Sequence, residues 1–597
     1  MIISAVDISV IFFFVVLNVI VGFQTRSRIK NFGEYASGIG TKFSDLTIVS
    51  TTAATMCSAS LFVSGIEQVY QSQLFIIIIY LFTDVFACIV CSIFFIPYIM
   101  KLKTFTINEW VGSFYGEKIK ALFSFCEVSK HIGRFAIQLR LIGTCAATIF
   151  GLEQYGCDVV IWCAAILLMV YASYGGLKAV SYTDIVQFMF FATIVPLIAI
   201  YLWYVTGIEG VGHEGFAKLF NKDIYPKMTL AGTFTGIDVY IAVAAMLTRS
   251  TLGIPVSMPY YQRIRICKDV CRAQKLFIIS SFVYWICIIF ILFIGLQLLG
   301  ISGGVNPKTH MDMEQKDIMP YLLGKLVLPG LGTLMFLCIL SLAVSTSDSE
   351  FNGMAVLLAN DILPVVNKKF FSNRIRSAIV SSTIGGMVAL VLALYNKDIF
   401  TLLMGVQNFF LPVVSVPLVA TLFGFRTHRN SLWVGIMCGI VATISYMFIM
   451  RKSSYYIYAF GPGMFANAIG LFTCHLYYKK KGWRWIDQPE ALDEARDNLA
   501  EVIKQMVVNG DLDKDYPQEY GEQFEGVDLI YAYRNSGEVM KTIEYKRYKE
   551  MILRQVMKVD DEHMKDFCDF NGSLIDAISD DLDNAKMKND MLNEAAS

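Results

Sequence analysis

The stretch YASYGGLKAVSYTDIVQFMFF, residues 171–191, places Gly175, Gly176, Lys178 and Asp184 between two runs apolar enough to lie in a bilayer. The flanking runs, 156–173 and 182–205, are close to the ~20 residues that a helix needs to cross about 30 Å of hydrocarbon. Paired glycines permit a turn, because Gly adopts positive φ and lets backbones approach closely. Lys178 then marks the cytoplasmic side. Asp184 is expected at the start of the next helix, where a carboxylate meets the positive end of the helix dipole. Two membrane helices joined by a tight loop over 171–181 account for the whole stretch.

The rest of the chain repeats the pattern. Hydrophobic residues make up 55% of the 597, with only 14 prolines. Apolar runs near 6–23, 43–69, 72–99, 121–150, 156–173, 182–205, 236–257, 275–299, 326–360, 376–395, 399–424, 432–450 and 456–479 predict an all-α polytopic membrane protein with about 13 transmembrane helices. The first run follows MIISAVD with no basic n-region and no small-residue cleavage site, so it reads as a retained helix. Fourteen cysteines lie scattered, many inside apolar runs, and are expected to pack as small hydrophobes. Zero net charge hides an asymmetry: residues 486–597 hold 27 of the 50 acidic residues and 13 of the 50 basic ones.

Basic residues cluster in alternate loops, at Arg26 to Lys30, Lys101 and Lys103, Lys178, Arg263 to Arg272, Lys368 to Arg374, Arg426 and Arg429, and Lys479 to Lys481. The positive-inside rule makes these loops cytoplasmic, so the N-terminus lies outside and the C-terminus inside a plasma or bacterial inner membrane. Arg451 and Lys452 fall on the outer side as exceptions.

Four segments carry a resemblance to one family. YGGLKAVSYTDIVQ (174–187), TTAATMCSASLFVSGIEQVY (51–70), PYYQRIRICKD (259–269) and LSLAVSTSDSEFNG (340–353) appear in the order expected of the sodium:solute symporter family. The likeness covers about residues 1–480, and the topology resembles the proline-transporting branch. It implies a core of five plus five helices in inverted repeats, about 43–205 and 236–424, with the second span broken near the midplane. It also implies that Na+ is the coupling ion, held by the carbonyls of Ala54, Cys57 and Leu342 and the hydroxyls of Ser345 and Thr346, and that Asp184 lies on the cytoplasmic sodium exit path. The chemistry agrees with such a site. Sodium wants oxygen ligands, and inside a bilayer these come from unwound backbone or from hydroxyls. Hydroxyls in membrane helices also bond to carbonyls one turn back, and that reading of Ser345 and Thr346 stays open. Asp348 could supply field to the cation without ligating it.

The fourth span is unusually polar. FSFCEVSKHIGRFAIQLRLIGTCAATIF, 123–150, sets Glu127, His131, Arg134 and Gln138 at spacings of four, three and four, on one helical face, with Lys130 and Arg140 nearby. Charge at membrane depth is expensive, so this face is expected to point into the bundle. The family resemblance puts Gln138, Ser250, Gly253 and Gln407 at substrate positions, and Ser60 on the broken span joins them. Arg134 and Arg249 stand beside them. A guanidinium holds a carboxylate bidentately, which favours an amino acid or organic acid as the substrate. Pairing of these arginines with Asp84 or Glu127 is the competing reading. Leu61 and Tyr80 stand where sugar-carrying relatives place polar groups, which disfavours a sugar.

Beyond KKKGWRWIDQPE (479–490) the composition turns charged, with helical patterns at 490–508 and 536–558. Residues 481–597 are read as an acidic cytoplasmic extension with a possible cytoplasmic partner, which keeps open a transporter-like sensor that signals occupancy through its tail. His563 lacks the pattern of a phosphoacceptor helix, and no P-loop, zinc motif or nucleophile elbow is present. The chain is read as a non-enzyme with no nucleic-acid partner. Its partners are the bilayer and a small-molecule substrate.

Overall fold

The computed structural model describes residues 5–26, 31–38, 41–70, 74–102, 104–208, 237–302, 319, 331–366, 373–395, 399–451 and 458–482. Among them every regular element is helical. Eight helices are long and apolar enough to cross a membrane, and a bent pair, Asp45–Met56 with Ala59–Glu67, raises the number to nine. The expected spans at 6–23 and 156–173 lie within the helices Ala5–Arg26 and Gln154–Ile208, and those at 236–257 and 456–479 contain the helix Ile237–Gly253 and most of Phe460–Lys480. Asp7–Gly22 and Gln154–Val170 are shorter apolar helices among the described residues. The acidic extension lies outside the described residues from 483 onward, and with it the expected helices and partner of the tail.

Ten helices position the site: α1 (Asp45–Met56), α2 (Ala59–Tyr70), α3 (Leu74–Val90), α4 (Glu117–Phe150), α5 (Gln154–Ile208), α6 (Ile237–Gly253), α7 (Met258–Arg265), α8 (Val270–Ser302), α9 (Leu331–Leu357) and α10 (Ile399–Leu422). The larger of two compact units comprises Met1–Glu109, Lys120–Val419 and Trp433–Leu471. Within it, α9 packs most extensively on α5 and also touches α1 and α2. The apolar stretch of Gly332–Val366 is 94% buried inside the protein, whereas that of Arg429–Ile449 is 28% buried. The first is therefore a core helix, and the second presents residues such as Ile444 and Phe448 outward.

The smaller unit holds Trp110–Ile119, Ala420–Leu432 and the described residues from Phe472. There the Arg426 guanidinium lies 4.1 Å from the centroid of Phe114, and His428 stacks on Tyr478 at 4.1 Å. Burial and the adjacent Arg429 charge hold the His428 imidazole below its ordinary pKa.

Two breaks in helix geometry shape the core. Cys57 closes α1 with extended backbone, φ −82° and ψ 125°. Ser58 then opens α2 by accepting the Leu61 N–H on its hydroxyl at 3.2 Å, as an N-cap does. The two halves are bent by 46°. The second break lies in the 171–191 stretch and differs from the expected loop. Helix continues through it, interrupted only at Gly176, with φ 56° and ψ −170°. A Cβ there would lie 2.9 Å from the carbonyl oxygen of Tyr35, so the glycine serves both its conformation and a close backbone approach. One kinked residue does the work assigned to a loop. In consequence Asp184 is not in a first turn: it stands more than two turns beyond Gly176, fully buried.

Candidate functional site

Four helices converge on Asp184. Thr51 on α1 donates to its Oδ2 at 2.5 Å, and Ser345 on α9 donates to Oδ1 at 2.7 Å. Arg263 on α7 pairs with Oδ2 at 3.2 Å and donates to Ser349 at 2.7 Å. Arg263 and Asp184 are both fully buried, so each neutralises a charge that would otherwise be very costly. The neighbouring Gln262 ties α7 to the Ala36 carbonyl and to Asn352, both at 2.8 Å. A relay from Thr51 through Asp184 to Ser345 thus links the broken helix to the core helix α9.

The oxygens expected around sodium lie beside this relay. Ala54 and Cys57 are buried at the end of α1, in the last turn, where carbonyls lack intrahelical partners. Ser345 gives its proton to Asp184 and Thr346 gives its proton to the Leu342 carbonyl at 2.9 Å, so both hydroxyl oxygens keep lone pairs for a cation. Bonding one turn back applies to Thr346 and not to Ser345. The Leu342 carbonyl takes this hydroxyl in addition to its helical N–H, which makes it the weakest donor of the set. Asp348 faces α5, where Thr183 and Gln187 lie at 3.4 Å from its Oδ2.

Beside the break opens a cavity of about 950 Å³, counting the space continuous with solvent. Its wall includes Ser60, Arg134, Arg249, Ser250, Gly253 and Gln407, brought together from four helices. Gln138, expected among them, stands behind the wall, with its Nε2 3.4 Å from Ser60 Oγ. Lys130, Asp84, Ser257, Tyr284 and Phe410 also line the space. The polar face of α4 is buried as expected, with Glu127 and His131 at 0% exposure. Leu61 lines the cavity, while the Tyr80 side chain lies outside the described residues.

Both arginines have carboxylate partners. Arg249 Nη2 stands 3.1 Å from Asp84 Oδ1, and Asp84 also accepts from Ser250 and from Tyr284 at 2.8 Å. Arg134 Nε stands 3.0 Å from Glu350 Oε1, close enough for ion pairing although its N–H is not aligned as a hydrogen bond. The expected alternative partner, Glu127, does not reach Arg134. It accepts from Asn108 at 3.0 Å and from the Met258 N–H at 2.6 Å, with Lys130 at 3.6 Å. Glu350 also contacts His131 Nδ1 at 2.5 Å. Glu350, Arg263 and Lys130 were missed as site residues, although a charge inside a span is itself a signal.

A bent core helix, a buried relay and a basic cavity beside them define a polytopic membrane protein of the transporter class. Residues 40–439 match the model of the sodium:solute symporter family, and the chain belongs to that family. It is 20% identical over 418 residues to the sodium/sialic acid symporter NanT of Aliivibrio fischeri, covering 68% of this chain and 81% of that protein. To the sodium-coupled monocarboxylate transporter 1 of Homo sapiens it is 22% identical over 339 residues, 54% of this chain and 53% of the relative. A solved substrate-bound, outward-open Na+-coupled sialic acid symporter superposes with a TM-score of 0.66 at 20% identity, over 79% of this chain and 98% of the other. The two share a fold.

Proposed function

We propose that the chain carries out sodium-coupled secondary active symport of a small organic acid by alternating access. The observation that carries this reading is the cavity wall, in which Lys130, Arg134 and Arg249 face the space beside one lining carboxylate, Asp84, while the carboxylates nearest Lys130 and Arg134, Glu127 and Glu350, are not part of the lining. Such a wall stabilises an anion. Asp84 already accepts from Arg249, Ser250 and Tyr284, so it offers little to a substrate ammonium, and an organic acid suits the site better than a zwitterionic amino acid. The relatives named for sialic acid and for monocarboxylates point the same way.

Sodium is the driving ion. It binds from outside between the end of α1 and α9, on oxygens of Ala54, Cys57, Ser345 and Thr346, with Leu342 the weakest contributor. Binding there clamps the broken helix and organises Ser60 and its neighbours on the adjacent half. Linkage then requires that substrate raise sodium affinity in return. Residues 1–480 form the transporter, with its N-terminus outside and its repeats, about 43–205 and 236–424, rocking against each other. The Ser345–Asp184 contact lies where a released ion passes inward, and Arg263 restores neutrality around Asp184 afterwards. The experiment is uptake into proteoliposomes. A sodium gradient should drive accumulation of a radiolabelled organic acid, and a potassium gradient of equal size should not. Accumulation indifferent to the cation would refute the reading.

A further inference from the structure

Three cations face the cavity, each with a carboxylate neighbour: Asp84 at 3.1 Å from Arg249, Glu350 at 3.0 Å from Arg134, and Glu127 at a looser 3.6 Å from Lys130. Drawing either arginine onto a ligand would leave a largely buried carboxylate unpaired. Lys130 is placed differently. Its ammonium donates to Ser257 Oγ at 3.0 Å and lies 4.0 Å from the centroid of the Phe410 ring. Its carboxylate neighbour, Glu127, stands at 3.6 Å, beyond hydrogen-bond distance, and both Glu127 oxygens are engaged by Asn108 and by the Met258 N–H. An ammonium carries three donors, and only one is used in a hydrogen bond. Ser257 accepts from Lys130, so its own hydroxyl proton is available to a ligand.

We propose that Lys130 and Ser257 together form the seat for the substrate carboxylate, while Arg134 and Arg249 hold helices in register and set the potential of the wall. The assignment rests on the carboxylate reading above and adds the atoms that take the charge. Lys130 Nζ donates to one carboxylate oxygen and Ser257 Oγ to the other. The two donors come from different elements, α4 and the turn before α7, and both line the cavity. The Lys130–Glu127 pair, at 3.6 Å, is the longest of the three, and Glu127 keeps Asn108 and the Met258 N–H when the ammonium turns to a ligand. The Phe410 ring beside the ammonium closes the seat on its apolar side, which suits a ligand whose carboxylate sits on a carbon skeleton.

The test uses the full chain in lipid nanodiscs, in sodium methanesulfonate or its potassium counterpart. Probes are acetate, pyruvate, lactate, N-acetylneuraminate, their methyl esters, glucose and chloride, and the readout is the rise of melting temperature with ligand concentration. Expected is protection of the wild type by at least one carboxylate, in sodium only, and none by its ester or by chloride. Lys130→Gln should raise the half-saturation concentration by about tenfold or more, as the loss of a charge-assisted hydrogen bond predicts. Ser257→Ala, which leaves every charge in place, should raise it by roughly threefold to tenfold. Arg249→Gln, which lowers the potential of the wall but removes no donor of the seat, should raise it by less than Lys130→Gln does in the folded fraction. Unchanged affinity in Ser257→Ala overturns the seat even if Lys130→Gln cannot be purified folded. Affinity lost in the arginine variants and kept in Lys130→Gln also overturns the seat, while the carboxylate reading stands. Protection by glucose or an ester alone overturns both, and equal protection by chloride overturns the assignment to a carboxylate.

Discussion

Arg249→Gln tests whether a cation in the cavity wall is a structural partner. In the wild type, Asp84 takes three donors, the Arg249 guanidinium at 3.1 Å, the Ser250 hydroxyl and the Tyr284 hydroxyl at 2.8 Å. Breaking a fully buried pair costs about 3–5 kcal/mol, because one charge is left without compensation. The side chains here are 21% and 17% exposed, and two hydroxyls remain, so the cost should fall to about 2 kcal/mol. At roughly 2 °C per kcal/mol for a large domain, the melting temperature should drop by about 4 °C. Adding Asp84→Asn removes the stranded charge and still offers an oxygen to both hydroxyls. The double variant should recover to within about 1 °C of the wild type. Thiol-reactive dye melts of protein purified in detergent, all run at one scan rate, measure both effects. An Arg249→Gln variant that melts like the wild type, or a second substitution that lowers stability further, would refute the pairing.

Gly176→Ala should destabilise by about 1–3 kcal/mol, because φ 56° with ψ −170° is a region open in practice only to glycine, with more from Tyr35 atoms 2.9 to 3.0 Å from the new Cβ. A lower folded yield and melting temperature check it. Ser345→Ala combined with Thr346→Ala should reduce sodium-driven uptake to background while the protein stays folded, since Asp184 keeps Thr51 and Arg263. Wild-type sodium dependence in that variant would remove both hydroxyls from the ion site. With the exposed Cys163 and Cys271 replaced, a cysteine at position 178 should react with a membrane-impermeant maleimide only from the cytoplasmic side, and one at position 304 only from outside. Reversal of either would break the orientation.

Much of the fold was legible because membrane helices obey local rules. Apolar runs depend on neighbours in the chain and on the bilayer thickness, both of which can be read locally. The polar face of α4 was legible for the same reason, since helical spacing alone turns Glu127, His131 and Gln138 to one side. What the local view misjudged was the form of the 171–191 break. A loop and a single kinked glycine have the same composition, and only the backbone of Tyr35 pressed against Gly176 selects the kink. The partners of buried charges were not legible at all. Asp184 meets Arg263, and Arg134 meets Glu350, across 79 and more than 200 residues of chain. Nothing in the spacing of either residue specifies the other. The rotation of each helix and the packing of α9 against α5 decide which charges come within 4 Å, and in a low-dielectric core that distance separates a neutralised pair from a stranded ion.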